Sequence, residues 1–366
     1  MSAAPVSLPR WADVVLLPAL NVSLAFLASG LVVLAIGENP LEATALLLRG
    51  ALGNTEGLGF TLYYTTNFIF TGLAVAVAFH AGLFNIGGEG QAMLGGIGAA
   101  MAALLMGSLP GLVALPVAVL AAALFGAGWA AVPGWLQARR GSHIVITTIM
   151  FNFIASALLV YLLVDVFRPA GMMEPSSRVF AAGGKLPFVH EIAASMGLSL
   201  PKSPLNLSFV LALVSAAAVW LLIYRSRLGY AIRTVGANPT AARYAGISPE
   251  RITILAMAIS GAFAGMMAVN EILGVQHRLL LAFTGGYGFV GIAVALMGRG
   301  HPAGIVLAAL LFGVLYQGGT ELAFDKPSIS RDMIVVIQGL VILFAGALEF
   351  MLKPWVARLF AGKDAG

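Results

Sequence analysis

The sequence has no cysteine and very little charge. Without cysteine there are no disulfides, no thiolate metal sites and no Cys nucleophile. Charged residues make up 10% of the 366 positions, against about 25% in a soluble domain. Missing too are G-x-x-x-x-G-K-[ST], H-E-x-x-H and a serine elbow. The chain therefore holds no P-loop of its own, no metalloprotease helix and no hydrolase nucleophile. His80 and His143 are not spaced as metal ligands, and neither a metal nor a cofactor is expected. Acids within the apolar runs are sparse, Glu89 and Asp165 being the main ones, which counts against a proton relay. No cluster of catalytic acids, bases or metal ligands points to an enzyme.

What is there is apolar. Hydrophobic residues reach 60% and the mean hydropathy is +0.96. A bilayer-spanning helix takes roughly 20 such residues, and about ten spans can be drawn. They cover 14–36, 60–80, 89–107, 111–136, 143–167, 206–224, 252–270, 283–298, 303–322 and 333–352. The run at 14–36 is long for a signal-peptide core and reads as a retained first span. The net charge of +5 does not indicate nucleic acid, because the basic residues sit in short loops between spans. There they set orientation: Arg139, Arg140, Arg225, Arg227, Arg233, Arg243, Arg251 and Arg299 fall on one side, which puts both termini in the cytoplasm.

The expected fold is an all-α, polytopic membrane domain covering the whole chain. Residues 168–205 carry five prolines at 169, 175, 187, 201 and 204 and read as an outside segment. They divide a first half, about 14–167, from a second, about 206–352. "FNIGGEG" at 84–90 is echoed by "FTGGYG" at 283–288, so Gly87, Gly88 and Gly90 correspond to Gly285, Gly286 and Gly288. Five spans per half would make this an inverted repeat, and glycine-interrupted segments at matching places point to a transport pathway.

"GLFNIGGEGQ", 82–91, has four glycines. Each costs about 1 kcal/mol relative to Ala inside a helix, so the helix should break here. Irregular backbone at membrane depth must be covered by protein or water. Glu89 is then a functional candidate, or a cap on the span that follows. Asn67, Asn85, Gln91 and Asn152 suit a neutral, hydrogen-bonding solute; Thr65, Thr66, Thr147, Thr148, Asn270 and Glu271 also dot the spans. Interhelical hydrogen bonding is the plainer role for any one of them. "GAFAG", 261–265, is a small-residue packing motif. In the basic stretch 225–251, Asn238 as N-cap, Pro239 at the first position and Gly246 as stop describe a short helix at about 239–245. So short a helix needs something to dock on.

"GLFNIGGEGQ", "RTVGANPTAARYAGI" with "SGAFAGMMA", and "GYGFVGIAVALMGRGHPAG" resemble, in that order, the permease subunits of bacterial ABC importers. The likeness is to the branched-chain amino acid and ribose permease superfamily, and within it to the nucleoside-type branch that uses a lipoprotein binding subunit. It implies an inner-membrane subunit working with a second homologous permease, ATPase subunits and a periplasmic or lipoprotein substrate-binding protein. Gly236, Asn238, Ala241, Ala242, Gly246 and Ile247, with Arg233, match the loop that couples to the ATPase. Asn85, Gly87, Gly88, Glu89, Gly90 and Gln91 match the glycine-rich segment beside the pathway. Val290 departs from the family pattern, where a polar or acidic residue is common. The resemblance implies import of nucleosides, with sugars, branched-chain amino acids or a flavin-like solute as alternatives. An ion-coupled carrier acting alone, and a membrane-embedded enzyme or scaffold, are the readings outside the family.

Overall fold

A computed structural model describes residues 9, 11–12, 16–329, 333–340, 343 and 352–357. These residues are overwhelmingly helical, with two isolated β-bridges, Ser176 to Leu280 and Phe188 to Asn206. The chain forms two compact units, residues 1–53 with 314–366, and residues 54–313.

The first unit opens with α1 (Leu17–Ala35) and α2 (Pro40–Leu52), which meet at a bend of 117°. Asn39 makes the bend: its side chain accepts from Leu41 N at 3.0 Å, and Pro40 fills the first helical position. Lys326 ties the corner down through Glu38 at 3.2 Å and Glu42 at 3.1 Å. Val33, Ala43, Leu322, Ile329, Ile334 and Ile337 form its core.

The second unit holds α3 (Thr55–His80), α4 (Gly88–Met106), α5 (Gly111–Arg140), α6 (Ile144–Tyr161), α7 (Val189–Ser195), α8 (Ser208–Arg225), α9 (Arg227–Ala237), α10 (Pro239–Tyr244), α11 (Pro249–Ala268) and α12 (Tyr287–Met297). α13 (Pro302–Asp325) starts here and runs on into the first unit. α6 and α11 each end in a π-helical stretch, Leu162–Phe167 and Val269–Gln276.

Among the described residues seven helices are long and apolar enough to cross a bilayer: α3, α4, α5, α6, α8, α11 and α13, the sixth and eleventh counted with their π stretches. The α1–α2 pair adds an eighth if it is one broken span. One of the expected spans differs. Only 11 residues of 283–298 are helical, as α12, because Gly285 and Gly286 take left-handed φ of 53° and 79° ahead of it. Half of 333–352, and both ends of the chain, lie outside the described residues.

α3 is the central rod, with 83% of its span buried, whereas α5 and α6 bury 22% and turn mostly outward. Small residues let α4, α5 and α11 meet backbone to backbone. A methyl on Gly265 would stand 2.4 Å from the Ala122 carbonyl, and one on Gly95 would stand 2.4 Å from Gly265 Cα. The "GAFAG" motif is thus a three-helix junction. Residues 168–205 form no span. They fold onto the end of α11, with Phe180 N donating to His277 O at 2.8 Å and Leu186 N to Leu273 O at 2.9 Å.

Candidate functional site

The two glycine motifs meet inside the second unit. Glu89 sits in the first turn of α4 and is buried. It does not cap its own helix, whose N-cap is Gly87 without a side-chain bond. Instead its carboxylate accepts from Gly286 N (Oε1, 3.0 Å) and Gly288 N (Oε2, 2.9 Å) at the start of α12. One acid thereby satisfies two orphan N–H groups of another helix and complements its dipole. Gly288 must be glycine for this approach, since a methyl there would lie 2.3 Å from Glu89 N. Gly88 faces Gly288 in turn, 3.3 Å from its carbonyl by the same measure.

The other polar residues of 82–91 are bonded within the protein. Asn85 and Gln91 exchange amide bonds at 2.9 and 3.0 Å, and Asn85 also reaches Ser260 at 2.8 Å. Asn152 accepts from Gly90 N at 2.9 Å and donates to Ile86 O at 3.0 Å, holding both sides of the break. Thr65, Thr66, Thr147 and Thr148 bond back to carbonyls of the preceding turn or cap. These residues therefore brace the broken helix and their own helices.

A second polar group lies where the π stretch of α11 faces the middle of α3. Tyr63 OH donates to Glu271 Oε1 at 2.5 Å and Asn67 Nδ2 donates to the same oxygen at 2.6 Å. Asn270 donates to Asn67 Oδ1 at 2.8 Å and to Tyr63 O at 3.1 Å, and accepts from Asn206 at 2.9 Å and Ser208 at 2.8 Å. All six residues are buried. Tyr63, Asn206 and Ser208 were not singled out in the sequence; the adjacent amide and acid of Asn270 and Glu271 in an apolar run were the available signal. Around them stand rings: Tyr63 against Tyr64 (5.0 Å between centroids), Tyr64 against Tyr287 (6.3 Å) and Phe68 against Tyr287 (5.6 Å).

The loop 225–251 folds as its caps foretell. Asn238 accepts from Thr240 N and Ala241 N at 2.9 and 3.0 Å, and Gly246 stops α10 with φ 76°. Arg243 pairs with Glu250. Ala241, Arg243, Tyr244 and Gly246 are exposed, and Ile247 is half-buried. Ala242 points inward and is fully buried, so it anchors α10 and does not present a free face. Arg233 lies over the Tyr224 ring at 5.7 Å. Gly236, near the end of α9, rests on the turn after α3, where a methyl would stand 2.2 Å from His80 O. The 225–251 segment and the turn at Gly82 are thus in backbone contact. Among the described residues no group of three or more His, Cys, Asp or Glu could hold a metal.

No solved structure matches the chain. Residues 57–346 match the family described as branched-chain amino acid transport system / permease component. The glucose ABC transporter permease protein TsgB13 of Haloferax volcanii is 35% identical over 95% of this chain and 92% of its own. The nucleoside ABC transporter permease protein NupB of Lactococcus lactis subsp. cremoris is 33% identical over 95% of both chains. The guanosine ABC transporter permease protein NupP of Bacillus subtilis is 35% identical over 92% of this chain and 95% of its own. With its apolar helices, its interlocked glycine motifs and this coverage, the chain belongs to the branched-chain amino acid transport system / permease component family and is a multi-pass ABC transporter permease subunit.

Proposed function

We propose that the chain imports nucleosides across a bacterial inner membrane, both termini cytoplasmic, as two inverted halves of one transmembrane domain. ATP is hydrolysed by separate ATPase subunits that dock on α10 and its flanks. A second homologous permease completes the pathway, and a periplasmic or lipoprotein subunit delivers the solute. The observation that carries this reading is the contact of Gly236 with the 80–82 turn. It joins the exposed docking loop to a broken helix whose first turn, through Glu89, holds the start of half-length α12. Broken helices meeting at membrane depth are what alternating-access sites are built from. The pathway residues are Asn67 and Glu89, with Asn85, Gln91 and Asn152 bracing it. Two of the three relatives carry nucleoside or guanosine in their names, which favours that solute. The one named for glucose keeps a sugar as the second reading.

The test is reconstitution. The chain is co-expressed with the ATPase, second permease and binding-protein genes beside its own, and the binding protein is screened against nucleosides and sugars. Co-purification of the ATPase and ATP-dependent nucleoside uptake are expected. Uptake by the chain alone, driven by an ion gradient, would sink the proposal. Binding of glucose with no binding of nucleosides would shift it to the sugar reading.

A further inference from the structure

Two neighbouring residues of the α11 π stretch are used differently. Asn270 makes four hydrogen bonds, which exhausts its amide. Glu271 takes both of its bonds on Oε1. Among the described residues Oε2 has no donor, and no Lys, Arg or His pairs with the carboxylate. A buried carboxylate held by one hydroxyl and one amide is expensive in a membrane protein, and such acids mark solute sites. Its place is a π stretch, a feature frequent at functional sites. It also faces Asn67, near the middle of the central span, α3.

The ring wall is the second observation. Tyr64 and Tyr287 are both half-buried, 6.3 Å apart, with Phe68 behind Tyr287. Tyr287 lies between Gly286 and Gly288, whose N–H groups Glu89 holds. Glu89 thus sets where the Tyr287 ring stands, and the opening glycine motif acts on the site at second hand.

We infer that Glu271, Asn67, Tyr64 and Tyr287 form the solute-binding point of the permease, in a closed state here, and that it takes a planar base presenting two adjacent N–H donors, as guanine does. This rests on the nucleoside reading above. The base lies between the two tyrosine rings, which open around it. Its ring N–H and exocyclic amine donate in parallel to the two carboxylate oxygens of Glu271, in the bidentate manner that carboxylates favour. Tyr63 and Asn67 release Oε1 as the base arrives, and the freed Asn67 amide donates to the base carbonyl. Adenine offers a lone pair where guanine offers a ring N–H, so it sets that lone pair against the carboxylate. Sites built to bond a particular edge reject the analogue lacking it strongly.

The experiment uses the full importer in proteoliposomes. Initial uptake of guanosine, inosine, adenosine, cytidine and glucose is measured for wild type, Glu271→Gln and Tyr64→Leu. Wild type should favour guanosine. Glu271→Gln should lower guanosine uptake at least tenfold and change that of adenosine and cytidine by less than threefold, with inosine, which keeps the ring N–H but lacks the amine, falling between, and with the ATPase still co-purifying. Tyr64→Leu, at a half-buried position, should lower all purine uptake at least fivefold even if Glu271→Gln fails to assemble. Equal losses for every solute, or no loss in either variant, overturn the site while leaving nucleoside import standing. Wild-type uptake of glucose and of no nucleoside overturns both.

Discussion

The Glu89 carboxylate bridges two N–H groups 197 and 199 residues away in sequence, and its removal can be followed in numbers. A hydrogen bond to a charged group is worth about 1.5–3 kcal/mol, and a buried donor left unmet costs about 1–3 kcal/mol. Glu89→Gln offers one carbonyl oxygen and one NH2 to two N–H donors. One bond survives in neutral form and the other donor meets a donor. The expected penalty is about 2–3 kcal/mol, which changes the ratio of docked to undocked α12 by roughly 30- to 150-fold. Glu89→Ala frees both donors and should cost about 3–5 kcal/mol. The ATPase should still assemble, because α10 lies apart from this contact. Uptake in proteoliposomes should fall at least tenfold for Gln and further for Ala, and the melting temperature of the purified complex should fall in the same order. Gly288→Ala should behave like Glu89→Ala, since its methyl would stand 2.3 Å from Glu89 N. Wild-type uptake and melting in Glu89→Gln would refute the bridge as a working part of the transporter.

Three further outcomes follow from the geometry. Gly236→Ala places a methyl 2.2 Å from His80 O; the ATPase should still co-purify and hydrolyse ATP, but uptake per ATP should drop several-fold. Tyr244→Ala, at a residue 91% exposed, should weaken ATPase co-purification without lowering the melting temperature, whereas Ala242→Arg, at a buried residue, should lower both. In the first unit Glu38 is held below the usual carboxylate range by Ser328 and then Lys326, and Lys326 is held above the usual lysine range by Glu42 and then Glu38. The stabilisation from Glu38 is therefore present above its unfolded pKa and fades as pH falls through the lowered value. That from Lys326 is present below its unfolded pKa and fades as pH rises through the raised one. The melting difference between wild type and Lys326→Ala should be greatest near neutral pH and vanish at both extremes; a pH-independent difference would show that the ion pairs contribute nothing.

Local signals in the sequence were readable wherever one residue decides a local structure. Asn238, Pro239 and Gly246 bound α10 because an amide cap, a fixed φ and a left-handed φ act within a turn of themselves. Gly87, Gly88 and Gly90 mark the start of α4 for the same reason, and the glycines of "GAFAG" mark a close helix junction. What required the fold was partnership. Nothing near Glu89 reveals that its donors are Gly286 and Gly288, so the expected cap on its own helix is replaced by a cap on α12. The π stretches add no apolar period to read, which hid the facing of Glu271 onto Tyr63 and Asn67. α12 falls short of the 283–298 span because Gly285 and Gly286 adopt left-handed conformations, a tertiary choice that composition leaves open. Ala242 matches the coupling loop by resemblance alone, and its inward orientation is set by how α10 packs.

The bridge between α4 and α12 also has a timetable. A ribosome adding about 5–20 residues per second needs roughly ten to forty seconds between delivering Glu89 and delivering its donors, the Gly286 and Gly288 N–H groups. Throughout that interval α4 is a nascent span with an acid in its first turn and no counterpart. α12, in its turn, is an 11-residue helix, about half the length a bilayer requires. It can be received only by a bundle that already contains α3 and α4. Insertion order is therefore written into the contact: a chain that stops before residue 286 lacks both N–H donors that the Glu89 carboxylate holds in the finished fold.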